Sequence, residues 1–257
     1  MAEPGPLDRR RFVLRGLALA ASPLLAGCDR LSETRWIARL LQAGEGLTHR
    51  VQRTLTRRQA LAREFPDSAR SAVFPGNGTT DPGTEAYRTL AAAGFADWRL
   101  EVRGLVERPA RLSLAELRRL PARTQVTRHD CVEGWSAIAK WTGVRLGALL
   151  DAAGVRPEAR YVVIRCADTM EGSGEPYYES LDLEDAYHEQ TILAYEMNDQ
   201  ALPVAQGAPL RLRVERQLGY KMAKYVTAVE VVAGFGAIAR GRGGYWEDRG
   251  YEWYAGI

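Results

Sequence analysis

No GxGxxG turn, Walker loop, GxSxG elbow or HExxH helix occurs in the 257-residue sequence. The commonest signatures of dinucleotide, phosphate, serine-hydrolase and zincin chemistry are therefore missing. The absence of any CxxCH excludes a covalently attached haem. The one apolar run near the N-terminus, Gly16 to Ala26, is well short of the ~20 residues that span a bilayer. No internal repeat or low-complexity tract is present, and cysteine is scarce, with only Cys28, Cys131 and Cys166.

What is there is ordinary in bulk. A hydrophobic fraction of 46% with 26% charged residues is enough to bury a full core and argues against disorder. One principal domain behind a leader is the expected organisation. Residues 1–27 have the order of an export signal: a basic start at Arg9-Arg10-Arg11-Phe12, the apolar stretch, then small residues. Paired arginines before a phenylalanine resemble a twin-arginine signal. Leu25-Ala26-Gly27-Cys28 resembles a lipobox, which makes Cys28 the expected lipidation site, and Asp29 resembles an inner-membrane retention signal. A basic frayed helix and an ordinary cleavage point are the plainer readings. Removal of residues 1–27 takes four arginines and two acids from totals of 35 basic and 32 acidic residues. The near-neutral remainder argues against nucleic acid as a partner.

Residues 28–71 read as an amphipathic helical segment, with Trp36, Ile37, Leu40, Leu41, Leu47, Val51 and Leu55 at helical spacing, interrupted at Gly44 and Gly46. Its other face carries Arg35, Arg39, Arg50, Arg53, Arg57 and Arg58. It suits either anionic headgroups beside a lipid anchor or a helix packed on the domain with a solvated basic side. From residue 72 the composition turns to glycine, proline and threonine (VFPGNGTTDPGT), which places a loop or boundary there. Beyond it, WRLEVRG, TQVT, YVVIRC, TILAYEM, LRLRV and KYVTAVEVV read as strands. SLAEL, with a capping box at Ser113 and Glu116, and VRLGALLDAAG, closed by Gly154, read as helices. Strands outnumber helices without alternating with them, which predicts an α+β domain with mixed sheets over residues 72–257.

The chemistry concentrates in Arg128-His129-Asp130-Cys131-Val132-Glu133-Gly134-Trp135, directly after the strand-like TQVT. Cys131 followed by Val132, Glu133, Trp135, Trp141 and Gly143, together with NDQALPVAQGAPLRLRVERQLGYKMAKYV, resembles the molybdenum domain of the sulfite-oxidase superfamily. The resemblance covers roughly residues 74–257 and is strongest to the bacterial branch that includes periplasmic methionine-sulfoxide reductases. It implies molybdenum on a single molybdopterin, with Cys131 as the metal thiolate and catalytic centre. A soft thiolate suits a high-valent metal, and coordination keeps it deprotonated.

The same resemblance assigns Arg211, Lys221 and Lys224 to the pterin phosphate, with Asn77 and Thr169 reaching the cofactor. His129 is either a donor to the pterin or a metal oxygen, or a structural histidine. A zinc site of His129, Cys131 and Glu133 lacks tetrahedral geometry and a fourth ligand. Cys166 reads as a small buried hydrophobe, with a Cys131–Cys166 disulfide as the alternative. Where sulfite oxidases carry arginines after the cysteine, this chain has Val-Glu-Gly-Trp, which fits a neutral sulfoxide better than sulfite. Gly134 stands where the reductases commonly have a larger residue. Electrons are expected from a separate redox protein, a membrane haem protein or a soluble cytochrome. The aromatic C-terminal stretch GRGGYWEDRGYEWYAGI reads as a packed tail or a docking patch. A non-catalytic lipoprotein that kept the fold and binds a partner is the alternative function.

Overall fold

The computed structural model describes residues 35–55, 57–170 and 174–257. The leader, Cys28 and Asp29 lie outside them. Two compact units divide at Gln52 and Arg53.

Helix α1 (Arg35–Leu55) runs unbroken through Gly44 and Gly46, because a glycine lowers helix propensity without removing a hydrogen bond. Its residues Leu47, Val51 and Leu55, spaced by four, are 63%, 45% and 79% exposed. Among the described residues no helix is long and apolar enough to cross a membrane.

The unit beginning at Arg53 contains two five-stranded sheets. In chain order its elements are α2 (Glu85–Ala92), β1 (Leu100–Gly104), β2 (Ala110–Leu112), α3 (Leu114–Leu117), β3 (Ala122–Asp130), β4 (Ser136–Arg145), α4 (Leu146–Ala153) and β5 (Tyr161–Thr169). There follow β6 (Pro176–Asp182), α5 (Leu183–Ala186), β7 (Ile192–Met197), β8 (Gln200–Ala201), β9 (Arg211–Arg213) and β10 (Val226–Val232). The first sheet is ordered β2-β1-β10-β5-β6 and is mixed, since β1 and β10 run parallel. The second is β3-β4-β7-β8, with β9 also on β7, and its pairs are antiparallel. This is the α+β arrangement with mixed strands and short helices that the element order predicts.

The expected local signals are present. Ser113 and Glu116 close the capping box of α3, and Gly154 ends α4 in the left-handed region at φ 72°. Strands β2, β4, β6 and β8 and helices α2 and α5 are additional to the segments read from sequence. The main core fills with Leu100, Val102, Leu146, Leu150, Val163, Ile164 and Val229, and a smaller cluster forms around Trp141, Ile192 and Met197. Gly143 shows why a Trp-x-Gly pattern occurs on β4: a Cβ there would meet the Leu193 carbonyl oxygen at 2.2 Å. Only glycine lets β7 approach this closely at the bulge between Thr142 and Gly143.

Residues 57–71, on the N-terminal side of the boundary expected at residue 72, are tied to the second sheet as a strap. Phe65 N–H donates to the Val126 carbonyl at 2.9 Å, Ser71 N–H to that of Ile138 at 2.9 Å, and Glu64 bridges Thr127. Gln190 takes a hydrogen bond from Ala62 N–H and gives one to Ala62 O. Arg53 anchors the approach to the strap on Asp182, Glu184 and Asp185 at 2.7–2.9 Å.

Candidate active site

Cys131 sits where β3 turns into β4. Its N–H donates to the Trp135 carbonyl at 2.9 Å, and Gly134 N–H donates back to the Cys131 carbonyl at 3.0 Å. Gly134 adopts φ 89° to close this five-residue turn, a conformation that glycine enters without the strain of a side chain. Cys131 is 7% exposed and its thiol is free, as is that of Cys166. Burial and the neighbouring Glu133 push the Cys131 thiol up, so the residue needs a cation or metal to become a thiolate.

The turn opens onto a cavity of about 230 Å³ whose wall includes Asn77, Cys131, Glu133, Asp168, Tyr177 and Lys224. Gly219 brings its backbone against His129, leaving no room for a side chain: a Cβ would lie 2.4 Å from His129 Nε2. His129 is fully buried. Its Nδ1 lies 2.9 Å from Arg213 Nη1, which can only donate, so Nδ1 accepts and the imidazole proton is on Nε2. Burial and the cations Arg213, Arg211 and Lys224 hold the ring well below the usual histidine range, hence neutral. That leaves the Nε2–H a buried donor without a partner.

Arg211 is fully buried over Trp141, its guanidinium carbon 5.0 Å from the ring centroid. Nη1 donates to the backbone and side-chain oxygens of Gln206 at 3.1 and 3.3 Å, while Nε and Nη2 have no partner. Burial and Arg213 pull it down to about 9. Arg213 differs, being clamped by Glu215 at 2.9 and 2.6 Å. Lys224 donates to the carbonyls of Asn77 at 2.6 Å, Thr79, and Ala205 at 3.4 Å. Burial and Arg211 lower it to about 8. The Asn77 side-chain oxygen is also buried without a partner.

The structure thus gathers Asn77, His129, Cys131, Arg211 and Lys224 into one neighbourhood. It does not bring Lys221 there: that ammonium is fully buried between Glu179, at 2.7 Å, and Glu247. Thr169 is exposed, and its neighbours Asp168 and Met170 face the cavity instead. Tyr177, Tyr220, Met222, Trp246 and Tyr251 line the site without having been singled out from sequence. The aromatic density of the C-terminal stretch was the available signal for the last two. Among the described residues, no three His, Cys, Asp or Glu side chains are grouped to hold a metal by themselves.

Unpaired buried polar atoms of this kind are rare, and an uncompensated buried cation costs several kcal/mol. Arg211, Lys224, His129 Nε2–H and the Asn77 amide fit a polyanionic ligand with hydrogen-bonding edges, set beside a single thiol. A family model described as "Oxidoreductase molybdopterin binding domain" matches residues 88–234. The chain belongs to the molybdopterin-binding oxidoreductases. This bears out the sulfite-oxidase-type resemblance and its fold.

The oxidoreductase is 39% identical over 248 residues, 96% of its length and 87% of the relative's, to the putative protein-methionine-sulfoxide reductase subunit YedZ1 of Azospira oryzae. It is 33% identical over 237 residues, 88% of its length and 70% of the relative's, to the protein-methionine-sulfoxide reductase catalytic subunit MsrP of Xanthomonas campestris. Among solved structures, the sulfane dehydrogenase SoxCD of Paracoccus pantotrophus aligns with TM-score 0.48 and 27% identity over 54% of this chain and 39% of that one.

Proposed function

We propose that this oxidoreductase reduces sulfoxides at a molybdenum held by the Cys131 thiolate and one pyranopterin, on the outer side of the inner membrane. The observation that carries the reading is the pairing of a lone cavity thiol with a neighbouring set of unpartnered buried donors, Arg211 Nε and Nη2 and His129 Nε2. When bound, the cofactor supplies a two-electron metal couple suited to oxygen-atom transfer.

The protein residues hold and orient. Arg211 offers charge-assisted hydrogen bonds to phosphate through Nε and Nη2, Lys224 adds positive charge beside it while its N–H groups hold the carbonyls of Asn77, Thr79 and Ala205, and His129 Nε2–H and the Asn77 side chain address polar edges. Gly219 carries no side chain where a Cβ would collide with His129 Nε2. Met170, Tyr220, Trp246 and Tyr251 give the cavity an apolar and aromatic wall, which suits a thioether-like, uncharged substrate. Lys221 is held by the carboxylates of Glu179 and Glu247.

Export by the twin-arginine route and lipidation at Cys28 complete the proposal. The exposed stripe Leu47, Val51 and Leu55 supports a helix that rests on a membrane surface beside such an anchor. Electrons then come from a separate redox protein, a membrane haem protein or a soluble cytochrome. Cys28→Ser is expected to release the enzyme from membranes and to lower quinol-linked turnover.

Elemental analysis tests the centre of the proposal. Purified protein from a molybdenum-replete host is expected to hold about one molybdenum per chain, and Cys131→Ser to lose most of it. Folded, metal-free wild type would overturn the reading. With a dye donor, sulfoxide reduction is expected; turnover confined to sulfite oxidation would reverse the direction assigned.

A further inference from the structure

Behind the cavity wall lies a buried ionic cluster that cofactor binding does not use. Glu179 on β6 is fully buried, with Glu247 1% exposed and Lys221 fully buried between them. Two carboxylates therefore face one ammonium. The buried Glu247 Oε2 has no hydrogen-bond partner, so the second negative charge has only Lys221 to share. The cluster is neutral only if the pair holds one proton.

The cluster has an outlet. The Tyr177 hydroxyl lies 3.2 Å from Glu179 Oε1 and donates to the Tyr220 carbonyl at 2.5 Å. Tyr177 and Tyr220 both belong to the wall of the Cys131 cavity. Tyr177 also lines a second cleft of about 680 Å³, together with Arg165, Cys166, Tyr178 and Tyr245. One side chain thus touches the carboxyl pair, the reaction cavity and a larger water-accessible space.

We propose that the Glu179–Glu247 pair stores a proton and that Tyr177 delivers it to the reacting oxygen in the Cys131 cavity. The inference rests on the sulfoxide-reducing reading, in which one sulfoxide, two protons and two electrons give one thioether and one water. The sulfur–oxygen bond breaks, and the oxygen leaves as that water. The two electrons come from the reduced redox protein. One proton comes from solvent and the other from Tyr177: its phenolic O–H breaks toward the substrate oxygen as the Glu179 carboxyl proton passes to the phenolic oxygen. Water in the larger cleft reprotonates the pair. The groups facing Glu179 are Lys221, Glu247, Tyr177, Tyr178 and Cys166. Burial and Glu247 raise Glu179 well above the carboxylate range, against the pull of Lys221, in keeping with a stored proton at neutral pH.

Infrared spectroscopy of the metal-free protein reads the store directly. At neutral pH the spectrum is expected to contain the carbonyl stretch of a buried protonated carboxyl, absent in Glu179→Gln and shifted in Tyr177→Phe. A spectrum without the band, or a band unchanged in Glu179→Gln, overturns the proposal. Should Glu179→Gln fail to fold, Glu247→Gln supplies the same comparison. In the loaded enzyme, Tyr177→Phe is expected to lower kcat about 100-fold with KM unchanged, the loss deepening as pH rises; an unchanged kcat refutes the delivery step. A wild type inactive on every sulfoxide sinks the sulfoxide reading, while the infrared result still decides whether the proton is there.

Discussion

The cofactor pocket depends on individual atoms placed where they cannot relax. Gly219→Ala puts a methyl 2.4 Å from His129 Nε2, and the ring has nowhere to go because Arg213 and Met222 hold its other side at 2.9 and 3.2 Å. The expected outcome is overpacking that costs about 1–3 kcal/mol together with loss of pterin, read by urea unfolding and by cofactor extraction. Arg211→Met keeps the bulk and removes the unpaired cation. The metal-free variant is expected to be as stable as wild type or more so, while the molybdenum content of protein purified from a replete host falls. Opposite signs for folding and loading in one variant would identify Arg211 as a group kept for its ligand.

At the scale of the element, the clamp on Arg53 fixes the start of the sheet unit to its own acidic corner. The Arg53 side chain is 15% exposed and meets Asp185, which is 1% exposed; Asp185 also binds Arg216 and Gln217. Arg53→Ala is expected to cost about 3 kcal/mol, as for removing one partner of a largely buried pair, measured by thermal melting. Although burial opposes it, Arg53 and Arg216 hold Asp185 below the usual carboxylate range. Its stabilisation is therefore present at neutral pH and lost as pH falls through the acid range, and Arg53→Ala should flatten that acid limb. Strands with clean alternation were legible from sequence, such as β10. Strand β3 was legible as a strand but not by face: the alternation Gln125, Thr127, His129 points inward and Val126 does not. Its buried side is a polar layer, with Gln125 on Glu215 at 2.9 Å and Glu215 on Arg213, and no hydrophobic pattern announces that. The pairing of Lys221 with Glu179 and Glu247 was illegible for a related reason, because those glutamates lie far from it in the chain.

For the molecule as a whole, the pocket's own charges set how stability follows pH before the cofactor arrives. Burial lifts Asp168 from 3.8 to about 6, so the folded state keeps a proton the unfolded chain has lost, and stability falls as pH rises from about 4 to 6. Lys224 is lowered from 10.5 to about 8, so the folded state sheds its proton first and stability falls, as pH drops, between about 10.5 and 8. Loading with a phosphate-bearing pterin should erase this alkaline dependence by returning Lys224 toward its ordinary range; denaturant melts of metal-free and loaded protein across pH check this. The strap of residues 57–71 has a consequence of another kind. Strand β3 is the outermost strand of its sheet, and the strap occupies its free backbone side through Phe65 and Glu64. A chain begun at residue 72, where composition alone suggests a boundary, would present a bare row of peptide groups to any neighbour. Such a truncated protein is expected to self-associate by strand addition, and the intact chain to scatter no excess light at the same concentration.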